Sequence, residues 1–178
     1  MGTYGSNELA NGFRTVRRNT IQIAEDIPES QYDFVAAPET MSVGATLKHI
    51  AISPMMYEDM HREKRVTTLK GYDFPALMAR IGAEEKKSRS KAEIVELLRA
   101  EGERFSAWLE SLTPEFLAET FTDPFGQNER TRLESLTSPK EHEMHHRGQL
   151  MLIERMLGIV PHLTRQRQER MHTTRPAS

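Results

Sequence analysis

Residues 131–158 read TRLESLTSPKEHEMHHRGQLMLIERMLG, and the reading of this stretch decides the fold. Thr131 and Glu134 have the spacing of a capping box, in which two side chains reciprocally bond the free amides of a first helical turn. Gly158 suits the position just past a helix end, where the backbone turns left-handed. The stretch therefore predicts a helix from about 132 to 157. Working outward, Ser90 and Glu93 repeat the capping-box spacing and open another helix, whose stripe is Ile94, Leu98, Phe105, Trp108 and Leu112 and which Thr113-Pro114 closes. Nearer the start, Leu9, Phe13, Val16, Thr20, Ile23 and Ile27 recur at threes and fours, one face of a helix that begins near Ser6 and ends at Pro28.

A polar stretch runs through Pro38, and Ser42 then precedes Val43, Ala45, Leu47, Ile50 and Ile52, a run apolar on nearly all sides. It predicts a second helix over roughly 42–62, enclosed by its neighbours and kinked or locally readjusted at Pro54. Residues 63–89 are charged and less regular, an excursion with room for a short helix around Pro75 to Ile81. Residues 119–126 have room for a short extended piece, and strand alternation is otherwise missing. The expectation is an all-α four-helix bundle over residues 1–163, with a long connection between the second and third helices that permits a crossover. Residues 164–178, with Arg165, Arg167, Arg170 and Arg175 and few apolar positions, read as a polar basic tail. A solvated or disordered end is the first reading of it, and an anion or partner contact the second.

Composition narrows the chemistry. The chain has 178 residues, enough for one self-sufficient core, and it has no cysteine. Disulfides, thiolate zinc fingers, iron–sulfur clusters and cysteine nucleophiles are excluded together. Any metal must be held by His, Asp or Glu. The 24 basic and 26 acidic residues leave a net charge of −2, against the basic footprint of nucleic-acid binding. No apolar run is long enough to span a membrane, and residues 1–20 have no apolar segment of the secretory kind, so the expectation is a cytoplasmic protein.

Three of the seven histidines fall within five residues of the last helix, His142, His145 and His146. At about 100° per residue, His142 and His146 lie about 40° apart, with Gln149 and Ile153 on the same line, so this face points into the bundle. One turn is the spacing at which two imidazoles converge on one ion. The alternative is a His-rich surface helix beside the solvent-loving Glu141, Glu143 and Arg147. Two ligands seldom make a durable site, and His49 is the best third. It lies with Ala45, Ile52 and Met56 on an otherwise apolar stripe, where a lone His is more often a satisfied core residue. His145, at i+3 from His142, competes with His146 as ligand and is otherwise a flanking or substrate contact. His61, His162 and His172 read as surface residues. Glu101 interrupts the apolar stripe of the third helix. It either pairs with an Arg or stands near the ion as an acceptor or fourth ligand.

These segments resemble the DinB-like superfamily, which includes the damage-inducible DinB proteins and the YfiT-type proteins assigned as metal-dependent hydrolases. The resemblance spans about residues 6–163. It rests on Thr46-Leu47-Lys48-His49-Ile50-Ala51, Phe125-Gly126, the segment His142 to Leu150 and the closing Leu157-Gly158-Ile159-Val160-Pro161. It implies a four-helix bundle, often a homodimer, with one divalent ion on His49, His142 and His146. Arg147, Gly148 and Gln149 match the motif without an assignable catalytic role, and residues 62–89 match no part of it.

Three imidazoles without a thiolate suit Zn²⁺, Ni²⁺, Fe²⁺ or Mn²⁺, with zinc and nickel preferred, and leave a coordination position open to water or substrate. The resemblance extends to relatives that look like metal-dependent thiol S-transferases or thiol-dependent isomerases, so the first functional expectation is transfer of a low-molecular-weight thiol to an electrophile. Hydrolysis by metal-activated hydroxide is the second, and a non-enzymatic metal-binding stress-response protein the third. His145, Glu101, Gln149 and Arg147 are the candidates around the ligands.

Overall fold

The structure, a computed structural model, describes residues 4–173, the side chain of His172 apart. In chain order the helices are α1 (Ser6–Asp26), α2 (Val43–Ile52), the single turn α3 (Met55–Tyr57), α4 (Phe74–Glu85), α5 (Lys91–Glu110) and α6 (Pro114–Ala118). The two-residue strands β1 (Thr120–Phe121) and β2 (Arg130–Thr131) pair antiparallel, and α7 (Arg132–Met156) and α8 (His162–Thr173) follow. The helix starts follow the expected capping chemistry. Ser90 Oγ accepts from the Glu93 amide at 3.3 Å while Glu93 accepts from the Ser90 amide at 2.7 Å; at Thr131 the forward half of the expected box forms, Oγ1 accepting from the Glu134 amide at 3.1 Å. At the far end of α7 the amides of Gly158 and Ile159 bond the carbonyls of Arg155 and Glu154, a Schellman turn that needs the +77° φ of Gly158.

The bundle is formed by α1, α2, α5 and α7. Both α1 and α2 pack against α5 and α7, so the first two long helices stand diagonally, as do the last two. The long connections through residues 27–42 and 53–90 permit this crossover order. The apolar stripes face inward, with Phe13, Ile23, Ile27, Leu98 and Phe105 fully enclosed. Burying each such side chain stabilises the fold by about 1.5–3 kcal/mol before entropy is counted.

Three expectations are corrected. The second helix does not run to residue 62. Pro54 has no amide to give to the Ile50 carbonyl, so α2 ends at Ile52, and after α3 the chain takes the wider π-type turn over Glu58–Glu63. The excursion holds a longer helix than expected, α4, because Asp73 Oδ1 caps the Ala76 amide at 2.9 Å and Pro75 sits in the first turn, where its missing amide costs nothing. The segment read as a solvated or disordered end is solvent-exposed over residues 166–171 but ordered, helical in α8 through Thr173, and Arg165 Nη2 reaches Asp26 Oδ2 at 2.6 Å. Arg175 and the side chain of His172 lie outside the described residues.

Candidate metal centre

His49 comes from the last full turn of α2, and His142 and His146 from successive turns of α7. The break after α2 and the packing of α2 on α7 bring the three rings together. His49 Nε2 lies 3.0 Å from His142 Nε2, and His146 Nε2 lies 3.2 Å from the same atom. One ligand atom from each lies within 4.8 Å of the others, the one cluster of this kind among the described residues.

Two of the three outer nitrogens are already used. His49 Nδ1 donates to Glu85 Oε1 at 2.7 Å, and His146 Nδ1 donates to Gln149 Oε1 at 2.8 Å. A proton on each Nδ1 leaves both Nε2 atoms as bare lone pairs directed at His142 Nε2, which can donate to only one of them. Lone pairs held face to face repel unless a cation stands between them. Tetrahedral coordination with bonds of about 2.0–2.1 Å would put nitrogens about 3.3 Å apart, close to the spacing seen. The donor set therefore fits a divalent ion, with Glu85 and Gln149 in the oxygen-acceptor role that orients ligating imidazoles.

Electrostatics point the same way. Burial, followed by neighbouring His146 and His49, pushes His142 down to about 4. Burial lowers His146 too, against the opposing effect of the hydrogen bond it donates to Gln149. Neutral imidazoles are the form that binds metal. Beside the rings opens a small cleft of about 180 Å³ lined by His49, Ser53, Met56, Tyr57, Met78, Ile81 and His142. No carboxylate lines it. Burial also pushes the Tyr57 phenol up, so it stays protonated.

The other expected residues are placed as follows. His145 is exposed on the flank of α7, its Nε2 3.2 Å from Gln149 Nε2, and it does not join the three converging nitrogens. Glu101 pairs with Arg104, which also bonds Glu58, in a separate cleft bordered by Glu63 and Glu84, so its anomaly resolves as an ion pair. Arg147 is half-buried on the side of α7 that meets His162, and its Nε has no partner. Gln149 is exposed rather than inward, yet it holds His146.

Two histidines expected on the surface are buried. His61 is fully enclosed because the π-type turn rolls it inward, where Nε2 donates to Ser135 Oγ at 2.9 Å and Nδ1 accepts from Arg132 at 2.9 Å. His162, the first residue of α8, is 3% exposed, its Nε2 3.2 Å from Asn19 Oδ1. Glu143, expected in solvent, is 1% exposed and accepts from Arg17. Sequence reasoning missed Glu85 because no motif marks its region. It missed the Arg17–Glu143 pair although the signal was present, since each residue lies on an apolar line of its helix, Phe13-Arg17-Thr20 and Pro139-Glu143-His146-Leu150.

A family model described as the DinB superfamily matches residues 13–150. The uncharacterized protein YjoA of Bacillus subtilis (strain 168) is 26% identical over 155 residues, covering 86% of this chain and 91% of YjoA. The crystal structure of YjoA, described as a DinB-like protein, matches with a TM-score of 0.62 at 24% identity, over 85% of this chain and 92% of that one. YfiT from Bacillus subtilis, described as "a probable metal-dependent hydrolase with an unusual four-helix bundle topology", matches with a TM-score of 0.67 at 20% identity, over 89% and 91%. At these identities the two structures speak for the fold.

Proposed function

The chain belongs to the DinB superfamily, and from that premise and its three facing imidazoles we propose that it is a divalent-metal-dependent enzyme working at His49, His142 and His146. The observation that carries the reading is the pair of anchored tautomers, which aims two Nε2 lone pairs at the third imidazole beside an open cleft. When bound, a zinc or nickel ion would supply Lewis acidity and lower the pKa of a nucleophile in its open position. Glu85 and Gln149 hold the ligand rings. Met56, Met78 and Ile81 give the cleft an apolar wall suited to a small uncharged electrophile, and Tyr57 keeps a proton to donate.

For the nucleophile we favour a low-molecular-weight thiol. A thiol acidified by an ion on the three imidazoles would give its proton to water without a general base, which matches a cleft that no carboxylate lines. The chain has no cysteine, so the sulfur arrives with the substrate. Hydrolysis is the second reading, favoured by the fold-level likeness to YfiT. With the proposal go a cytoplasmic setting, a small-molecule substrate without nucleic acid or membrane, and a homodimer. No helix of the described residues is long and apolar enough to cross a membrane. The test is cobalt loading followed by titration with small thiols and then a generic alkyl electrophile. The expected result is a thiol-dependent change in the visible cobalt bands and metal-dependent thioether formation, lost in His146→Ala. Cobalt bands indifferent to every thiol, with metal-dependent ester cleavage, would replace thiol transfer by hydrolysis.

A further inference from the structure

Midway along the bundle the apolar core is interrupted. One apolar cluster gathers Leu9, Phe13, Phe105, Trp108 and Leu136, and the other gathers Ile23, Leu47, Leu98, Leu150 and Ile153. Between them stands Arg17, 3% exposed, with Glu143, 1% exposed. Arg17 Nε donates to both Glu143 oxygens at 3.0 and 3.1 Å, Nη1 donates to the Leu98 carbonyl at 2.9 Å, and Nη2 donates to the Ile50 carbonyl at 3.1 Å.

Two of that guanidinium's three partners are sequence neighbours of the imidazoles. Glu143 follows His142 on α7, and Ile50 follows His49 on α2. The Ile50 carbonyl is the one that Pro54 leaves without an i+4 amide donor, so the break in α2 creates an acceptor that Arg17 shares with Ser53 Oγ. On α5, Gly102 makes room for the arginine. A Cβ there would come within 2.6 Å of Arg17 Cγ. One side chain from α1 thus clamps α2, α5 and α7 at the level where the imidazoles converge. A rigid planar fork imposes relative position on what it joins, whereas apolar contacts tolerate sliding.

We infer that Arg17, through Glu143 and the Ile50 carbonyl, is a positioning residue that sets the register of the two histidine-bearing helices. The inference rests on the metal reading above. Its consequence is that fold stability and site geometry separate. Replacing a buried ion pair by apolar residues of similar volume is often neutral or stabilising, so an apolar pair in this layer should keep the bundle while releasing the register.

The test compares the full-length protein with Arg17→Met/Glu143→Leu and with Arg17→Lys, which keeps the charge but loses the fork. Cobalt affinity and the visible cobalt spectrum are read beside the urea midpoint of the metal-free protein. The expected result for the double variant is a metal-free midpoint at or above that of the parent, with cobalt affinity about 10-fold or more weaker and shifted bands. Arg17→Lys should also weaken and shift the bands, and this arm decides the matter if the double variant does not fold. Parent-like affinity and bands in a folded variant would overturn the positioning role alone. Failure of the parent itself to bind cobalt would overturn it together with the metal reading.

Discussion

Two histidine networks lie along α7, and they are built in opposite ways. Near its start, His61 is wholly enclosed and both ring nitrogens have protein partners, Ser135 Oγ on one side and the Arg132 guanidinium on the other. Two turns further on, His142 and His146 meet His49, the outer nitrogens of His49 and His146 anchored and the inner nitrogens of all three turned on one another. His61 completes a closed account of hydrogen bonds, as buried polar groups must. The trio leaves its account open in one direction, toward a shared point beside a cleft. Burial alone thus says little about what a histidine does. The direction of its second nitrogen separates a structural residue from a candidate ligand.

The largest expected effect falls on the open network. His142→Ala should weaken cobalt or zinc binding by about 100-fold or more, since an outer partner alone is typically worth 10 to 100-fold. It should leave the metal-free urea midpoint nearly unchanged, because the one hydrogen bond it removes is offset by relief of the crowding among three inward-facing ring nitrogens. Metal titration by competition with a chelator reads the first, and urea unfolding the second. A large loss of metal-free stability would merge the two networks into one class.

His61→Ala should do the reverse. It leaves the Arg132 guanidinium and Ser135 hydroxyl without their partner, and a loss of about 2–3 kcal/mol is expected in urea unfolding, with metal affinity unmoved. The same residue predicts a pH trend. Burial, and then the charge of Arg132, holds His61 down at about 4. The unfolded chain binds its proton first, so this contribution to stability is intact above about 6.5 and is lost as pH falls from there through about 4. A denaturant midpoint that did not fall over this window would contradict the closed network.

Gly102→Ala tests the polar layer between the networks. The added methyl must displace Arg17, which several hydrogen bonds hold in place, and a cost of about 1–3 kcal/mol is expected. Glu154 gives the smallest effect. It is fully buried near Asp26, and burial followed by the charge of Asp26 pushes it up to about 7. Its contribution is intact below about 4.5, the unfolded value, and is lost as pH rises through about 7. Glu154→Gln should therefore match the parent at pH 5 and exceed it by about 1 kcal/mol at pH 8. Equal midpoints at both pH values would remove Glu154 from this account.

Much of the fold is legible in the residues. The caps at Ser90 and Thr131, the left-handed turn at Gly158 and the stripes of the long helices are local signals, and each element carries its own. The trio was legible to the extent that helical spacing could put His142 and His146 on one side and His49 on an apolar stripe. Glu85, the burial of His61 and the exposure of Gln149 were not. Each depends on how a helix is rotated about its axis, and Arg17 of α1 turns the buried line of α7 through Glu143 and His146 rather than through Gln149.

By itself, then, the sequence determined the long helices α1, α5 and α7 with their caps, the absence of thiolate chemistry and the residue types open to a metal, because period, capping and composition act over a few residues. The tertiary structure alone decided the diagonal order of the long helices, the convergence of three imidazoles and the clamp that joins their neighbours. Those features arise from contacts across the bundle, such as the 126 positions between Arg17 and Glu143. No local pattern can weigh the cost of leaving either charge buried alone.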